Sequence, residues 1–391
     1  MEINSILNAV WEEHLLGEFF TERKERATGN EELLSVTIAN GVIRQSDSEK
    51  RNISSDDKSN YKIVKKGDIA YNTMRMWQGS QGVSNWDGIV SPAYTIITPK
   101  EGVNTKFFSI LFKTHYALNL FTNYSQGLSS DNWNLKFSEF AKLKIKVPSK
   151  EVQQKIVELM EAQDEYILNQ KIYLTALINK RNGIVQQIFS EKLKYKYSSE
   201  AWEYTELSEI LFERKEKSHG NEEVYSVSVS KGLVNQIEHL GRSYASENTS
   251  KYKVVHPGDV IYTKSPTGDF KWGIVKQSTI DKKVIISPLY GVFTPSNNSI
   301  GYILDAYFSS SSRAHNYLIT QIRKGAKNTI NVSNDEFLAK GIYLPIERKE
   351  QDSIAKLIYN LDLQIKKWTE KVDRLYKIKK GLMQIAFSNI K

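Results

Sequence analysis

A run of side chains near the amino end of this 391-residue chain returns far downstream, in the same order and without a gap. Trp11, Glu22, Arg23, Lys24, Glu25, Gly29, Asn30, Glu31, Glu32, Ser35, Val36, Gly41 and Gln45 reappear, each shifted by the same interval, as Trp202, Glu213, Arg214, Lys215, Glu216, Gly220, Asn221, Glu222, Glu223, Ser226, Val227, Gly232 and Gln236. The register continues from Tyr61, Lys62, Gly67, Asp68 and Tyr71 to Tyr252, Lys253, Gly258, Asp259 and Tyr262. It slips by a few residues in a loop and resumes at Ser91 and Pro92 against Ser287 and Pro288. So long a period is no solenoid unit, so each copy is expected to be a domain with its own core, the two related by a pseudo-twofold axis.

Within each copy the first hundred-odd residues alternate short apolar runs with glycine, proline, asparagine and serine, the pattern of short strands. The runs are Leu33 to Ile38, Lys62 to Val64, Asp68 to Tyr71 and Tyr94 to Thr98, and then Val224 to Val229, Lys253 to Val255, Asp259 to Thr263 and Leu289 to Phe293. Gly67 and Asp68 read as a turn. One helical stretch is predicted after the strands of each copy, around Thr105 to Leu120 and Ile300 to Leu318.

A different kind of sequence follows each domain. From Ser149 to Ser190 there is no proline and one glycine, and apolar residues recur at steps of three and four. One seam reads Ile156, Met160, Gln163, Ile167, Gln170, Leu174, Leu177, Arg181, Ile184 and Ile188. Its counterpart reads Ile354, Ile358, Leu361, Ile365, Trp368, Val372, Leu375, Lys379, Leu382 and Ala386. Seams this long predict a coiled coil, and because the second domain lies between the helices, antiparallel pairing closes the chain naturally. The expected fold is therefore α+β, with two pseudo-symmetric mixed α/β domains separated by a pair of long antiparallel coiled-coil helices. The expected bounds are 1–148 for the first domain, 149–190 for the first helix, 191–201 for a linker, 202–345 for the second domain and 346–391 for the second helix. At about 1.5 Å per residue such a helix is a rod of roughly 60 Å. It suits reading two half-sites about 34 to 36 Å apart on a duplex, or spacing two ligand-binding domains. Arg181 and Lys379 occupy seam positions where a buried charge is costly, so either the pair opens there toward a partner or the side chains snorkel.

Charge bears on the partner. The formal excess of +9 and a pI near 9.2 favour a polyanion such as nucleic acid, although a solvated lysine-rich surface carries the same signature. Absence of cysteine excludes disulfides, thiolate zinc sites and thiol catalysis. No apolar run approaches the length that spans a bilayer, so the chain is expected to be cytoplasmic with no membrane contact.

Taken together, Gly67-Asp68-Ile69-Ala70-Tyr71 and Gly258-Asp259-Val260-Ile261-Tyr262, the turns at Pro148 and Pro345, and the helix starts Glu151 to Ile156 and Lys349 to Ile354 form a duplicated order. With the helix ends Gly183 to Ser190 and Gly381 to Ser388, this order resembles the specificity subunit of a type I restriction-modification system across almost the whole chain. The resemblance implies two target recognition domains, paired helices that space them and dock two methyltransferase (modification) subunits, and restriction/translocase subunits in the full complex. It also implies double-stranded DNA as ligand and no catalysis or cofactor on this chain, with S-adenosylmethionine, ATP and Mg on the partners. The residues agree. There is no Pro-Pro for an amino-methyltransferase motif, no Pro-Asp for the common nuclease motif and no nucleotide-cradling glycine loop. Glu22-Arg23-Lys24 and Glu213-Arg214-Lys215 match half of a nuclease signature without its partner acid, and the six histidines lack metal-ligand spacing. A coiled-coil scaffold with two ligand-binding domains, or a specificity chain of another methylase-nuclease system, remain alternatives.

Candidate DNA contacts are basic, amide and aromatic residues in loops, because phosphates take Lys or Arg while base edges favour Arg, Asn and Gln. In the first domain these are Asn72, Arg75, Gln78 and Gln81, with Trp77 either to wedge or stack on DNA or to pack within the core or loop, and Ser129 and Asn132 in the loop Tyr124 to Asn134. In the second they are Lys264 and Lys271, then Arg323, Lys324, Lys327 and Asn328. Arg23, Lys24, Arg214 and Lys215 occur in both copies and are expected at phosphates, which carry no sequence information.

Overall fold

The repeated Gly-Asp-hydrophobic-hydrophobic-Tyr segment lies in the middle of a four-stranded antiparallel sheet in each copy. The computed structural model describes residues 2–29, 31–48, 52, 54–127, 133–190, 201–220, 222–237, 249–321, 323–324 and 330–390. Two compact units divide it, one formed by 1–171 with 371–391 and the other by 172–370.

In the first unit the sheet runs in the order Phe20–Glu22, Tyr94–Pro99, Ile69–Asn72, Gln81–Val83. Strand alternation gives it two buried faces. Ile69, Tyr71 and Ile97 point into a core of Phe20, Phe107, Phe108, Phe112, Phe121 and Phe140, while Ala70 and Ile96 point into a smaller one with Leu34, Val36, Val42, Val64 and Val90. Two strand pairs, Leu34–Thr37 with Gly41–Arg44 and Lys62–Val64 with Gly88–Val90, supply that smaller core. The second unit repeats the plan. Its sheet orders Leu211–Glu213, Gly291–Pro295, Val260–Tyr262, Val275–Gln277, with Val260, Tyr262 and Phe293 on one face and Ile261 and Val292 on the other.

Each predicted single helix after the strands is two helices. Thr105–Leu111 is followed by His115–Tyr124, and Asn298–Phe308 by Ser311–Leu318. Thr114 and Ser310 cause the break, each accepting a backbone N–H of the next turn and so starting a new helix.

The long helices span Lys150–Phe189 and Arg348–Ala386. Both start against a Pro turn, where Gln153 donates to the Pro148 carbonyl at 2.9 Å and Gln351 to the Pro345 carbonyl at 2.8 Å. This is the duty of the glutamine in the repeated helix-start motif. Every seam residue read from the sequence is buried or half-buried. In the first unit the helices run antiparallel, with Asp164 paired to Lys379 and Lys371 over the Tyr166 ring. In the second, Tyr173 packs on Trp368 and Arg181 pairs with Asp362, again antiparallel. The two seam charges therefore neither snorkel nor await a partner chain. Each is held by a carboxylate of the opposite helix, Arg181 by Nε at 3.0 Å from Asp362 Oδ1 with a further bond to Ser309 Oγ at 2.9 Å.

Ala386, Phe387 and Ile390, at and beyond the end of the second long helix, enter the first unit's core, where Phe387 packs on Trp11 and Phe107. The fold class is that expected from the repeat and the seams.

Candidate nucleic-acid interface

A common frame is built at the start of the central strand in each sheet. Arg23 Nε lies 2.6 Å from Asp68 Oδ2 and its Nη2 3.2 Å from Oδ1, and Arg214 makes the same fork on Asp259 at 2.6 and 3.0 Å. Both aspartates are only 2% exposed as side chains. Each also accepts a backbone N–H across its turn, from Lys65 at 2.9 Å and from His256 at 2.8 Å. Gly67 at φ +92° and Gly258 at φ +85° make those turns, in a region that disfavours a Cβ. The Asp68 hydrogen bond pushes the Arg23 guanidinium further above its ordinary range against the opposing effect of burial, and Asp259 does the same for Arg214. This corrects the expectation that Arg23 and Arg214 grip phosphate: their guanidiniums are engaged inside the fold. Neighbouring Lys24 and Lys215 are exposed.

Beyond the frame the rims differ. In the first unit Asn72 ends the central strand, and its side chain accepts from the Met74 backbone at 3.0 Å, turning the chain outward. Buried Met76 anchors the following short turn, and Gly79 at φ +79° closes it. Arg75 is exposed at the tip, and its side chain makes no hydrogen bond or ion pair among the described residues. Gln78 is half-buried, with its Oε1 buried and without a hydrogen-bond partner. Trp77 packs edge-on against Trp133 at 5.2 Å and donates to the Met74 carbonyl at 3.0 Å, the loop-packing alternative of the sequence reading. Gln81 is a second correction. It is wholly buried, donating to the Ser109 carbonyl at 2.7 Å and accepting from Ser109 Oγ at 3.1 Å, so it cannot reach a base. The later loop is tied to this one through Leu135 N donating to Thr73 O at 2.9 Å. Ser129 and Asn132 lie outside the described residues.

In the second unit the rim turns at Lys264, the one non-glycine residue with positive φ (+61°) among the described residues. Close approach fixes it: a Cβ on Gly273 would lie 2.8 Å from Lys264 N. Lys264 is half-buried, and burial pushes its ammonium below the ordinary lysine range, while Lys271 is exposed. Trp272 closes the loop, donating from Nε1 to His315 Nδ1 at 2.9 Å while its carbonyl accepts from Tyr262 Oη at 2.8 Å. Arg323–Lys324 pairs with Ile330–Asn331 as a short hairpin. Lys327 and Asn328 lie outside the described residues.

Sequence reasoning passed over Lys62 and Lys253. Each is half-buried and donates to a rim carbonyl, of Tyr94 at 2.6 Å and of Tyr290 at 2.7 Å. Their repetition in both copies was the available signal. No group of three or more His, Cys, Asp or Glu with metal-holding geometry exists among the described residues, and no described helix is long and apolar enough to cross a membrane.

Residues 8–177 match the model of the type I restriction modification DNA specificity domain. No curated protein sequence matches the chain. Among solved structures the chain is similar to the S subunit of a type I restriction-modification system from M. genitalium, at 14% identity and a TM-score of 0.57, over 97% of this chain and 96% of that one. It is also similar to a chain from a structure on complex assembly and conformational transition of the type I R-M system, at 17% identity and a TM-score of 0.53, over 96% and 97% of the two chains. At such identities the likeness to solved structures is one of fold.

Proposed function

We propose, from the match of residues 8–177 to the type I restriction modification DNA specificity domain, that this chain belongs to that family and that its two units each read one part of a split, asymmetric DNA site. DNA sequence recognition is the function of the chain. The observation that carries the two-part reading is a shared frame with divergent rims: the Arg-Asp forks, turns and two-faced sheets repeat, whereas 72–81 and 264–273 differ in every exposed side chain. Two copies of one scaffold with different rims suit two different half-sites. Lys24 and Lys215 serve both as sequence-independent phosphate contacts, and Asn72, Arg75, Gln78, Lys264 and Lys271 are the described candidates for each site's own contacts.

Modification and cleavage belong to partner chains, which carry S-adenosylmethionine, ATP and Mg. The long helices suit docking of two methyltransferase subunits, because Leu168, Ile172, Ile378 and Ile385 are exposed on them at 45% or more. The complex works in the cytoplasm.

Methylation mapping of a cell carrying this chain and a methyltransferase partner, against a strain lacking only this gene, tests the reading. One split, two-part methylated adenine motif should vanish on deletion. An unchanged methylome with the methyltransferase expressed would overturn it, and binding to random duplex that is flat with salt would return the scaffold alternative.

A further inference from the structure

The second rim carries a large apolar side chain where the first carries a methyl group. Leu289 is 71% exposed, more than any other large hydrophobic residue among the described residues of its unit. It follows Ser287 and Pro288 in a turn that the first unit repeats as Ser91, Pro92 and Ala93. The turns are built alike. Leu289 N donates to Ser287 Oγ at 3.3 Å and Ala93 N to Ser91 Oγ at 3.4 Å, while the backbone N–H groups of Tyr290 and Tyr94 close on the Ser287 and Ser91 carbonyls at 3.2 and 3.1 Å. Each turn enters the sheet strand that pairs with the central strand, Gly291 opposite Tyr262 and Tyr94 opposite Asn72. Leu289 therefore lies at the same rim as Lys264, and Ala93 at the same rim as Thr73, whose hydroxyl donates to the Ala93 carbonyl at 2.9 Å.

We infer that Leu289 is a specificity-determining residue that contacts the 5-methyl group of a thymine in the major groove. This rests on the reading of the rims as DNA-facing. An exposed leucine held by a proline turn loses little freedom on contact, and the apolar group that a base pair displays in the major groove is the thymine methyl. Lys264 and Lys271, the candidates for that half-site's own contacts, stand on the same rim. The first unit has the smaller Ala93 at the equivalent place.

The test uses the full-length chain with its modification subunits and a duplex carrying the mapped site. Each thymine of the site is replaced in turn by deoxyuridine, which lacks only the methyl group. One replacement should weaken binding about fourfold, the effect of one methyl group removed from water. Leu289→Ala should abolish that sensitivity and Leu289→Met should keep it. Neutral deoxyuridine at every position overturns the inference, as does an L289A chain that retains the penalty or weakens on all duplexes equally. A wild-type chain that discriminates no sequence sinks the recognition reading itself, and is seen before any variant is made.

Discussion

Arg23 and Lys24 are adjacent in the chain and have opposite fates, one forked onto a buried carboxylate and the other exposed. Their repetition as Arg214 and Lys215 says that both matter and cannot say why, because Asp68 and Asp259 lie far along the sequence from the arginines they hold. Arg23→Ala leaves Asp68 charged, buried and without its guanidinium, so it should destabilise the first unit by about 3–5 kcal/mol. Urea unfolding followed in the full chain checks this, and wild-type stability would return Arg23 to the phosphate contacts. Gln81 was illegible for a related reason. Its neighbours in the chain are polar loop residues, but strand alternation turns it inward onto Ser109, and no local pattern announces that partner.

Seams are the part of the architecture that a sequence displays best, since a repeat of three and four survives whatever the helix packs against. From Ile156 to Ala386 each seam position lies at least half inside. What a single seam hides is register, and with it the partner of a charge. Asp164 and Asp362 do not belong to either seam as read, yet they neutralise Lys379 and Arg181. The same blindness applies to Thr114 and Ser310, whose caps divide stretches that apolar spacing alone reads as continuous. Arg181 and Asp362 should show a coupling of about 1–2 kcal/mol in a double-mutant cycle with alanine. Additive single effects would mean that the pair fixes no register. A charge-swapped chain with Arg181→Asp and Asp362→Arg should recover part of the loss.

At the scale of the whole molecule, the repeat and the fold class were legible, whereas the bases read were not, because the rims that would read them are where the copies cease to agree. Phosphate grip is testable without knowing the bases. Removing Lys24 and Lys215 together should lower the slope of log affinity against log salt by about two units and weaken all duplexes alike. An unchanged slope would class both as solvated surface. One further property follows from the first unit being assembled from 1–171 and 371–391, with Phe387 against Trp11. A ribosome releases every residue of the second unit while the first still lacks part of its interior. The unit that contains 1–171 is thus completed after the other, and a nonsense codon within 371–391 would damage it, not the unit just before that codon.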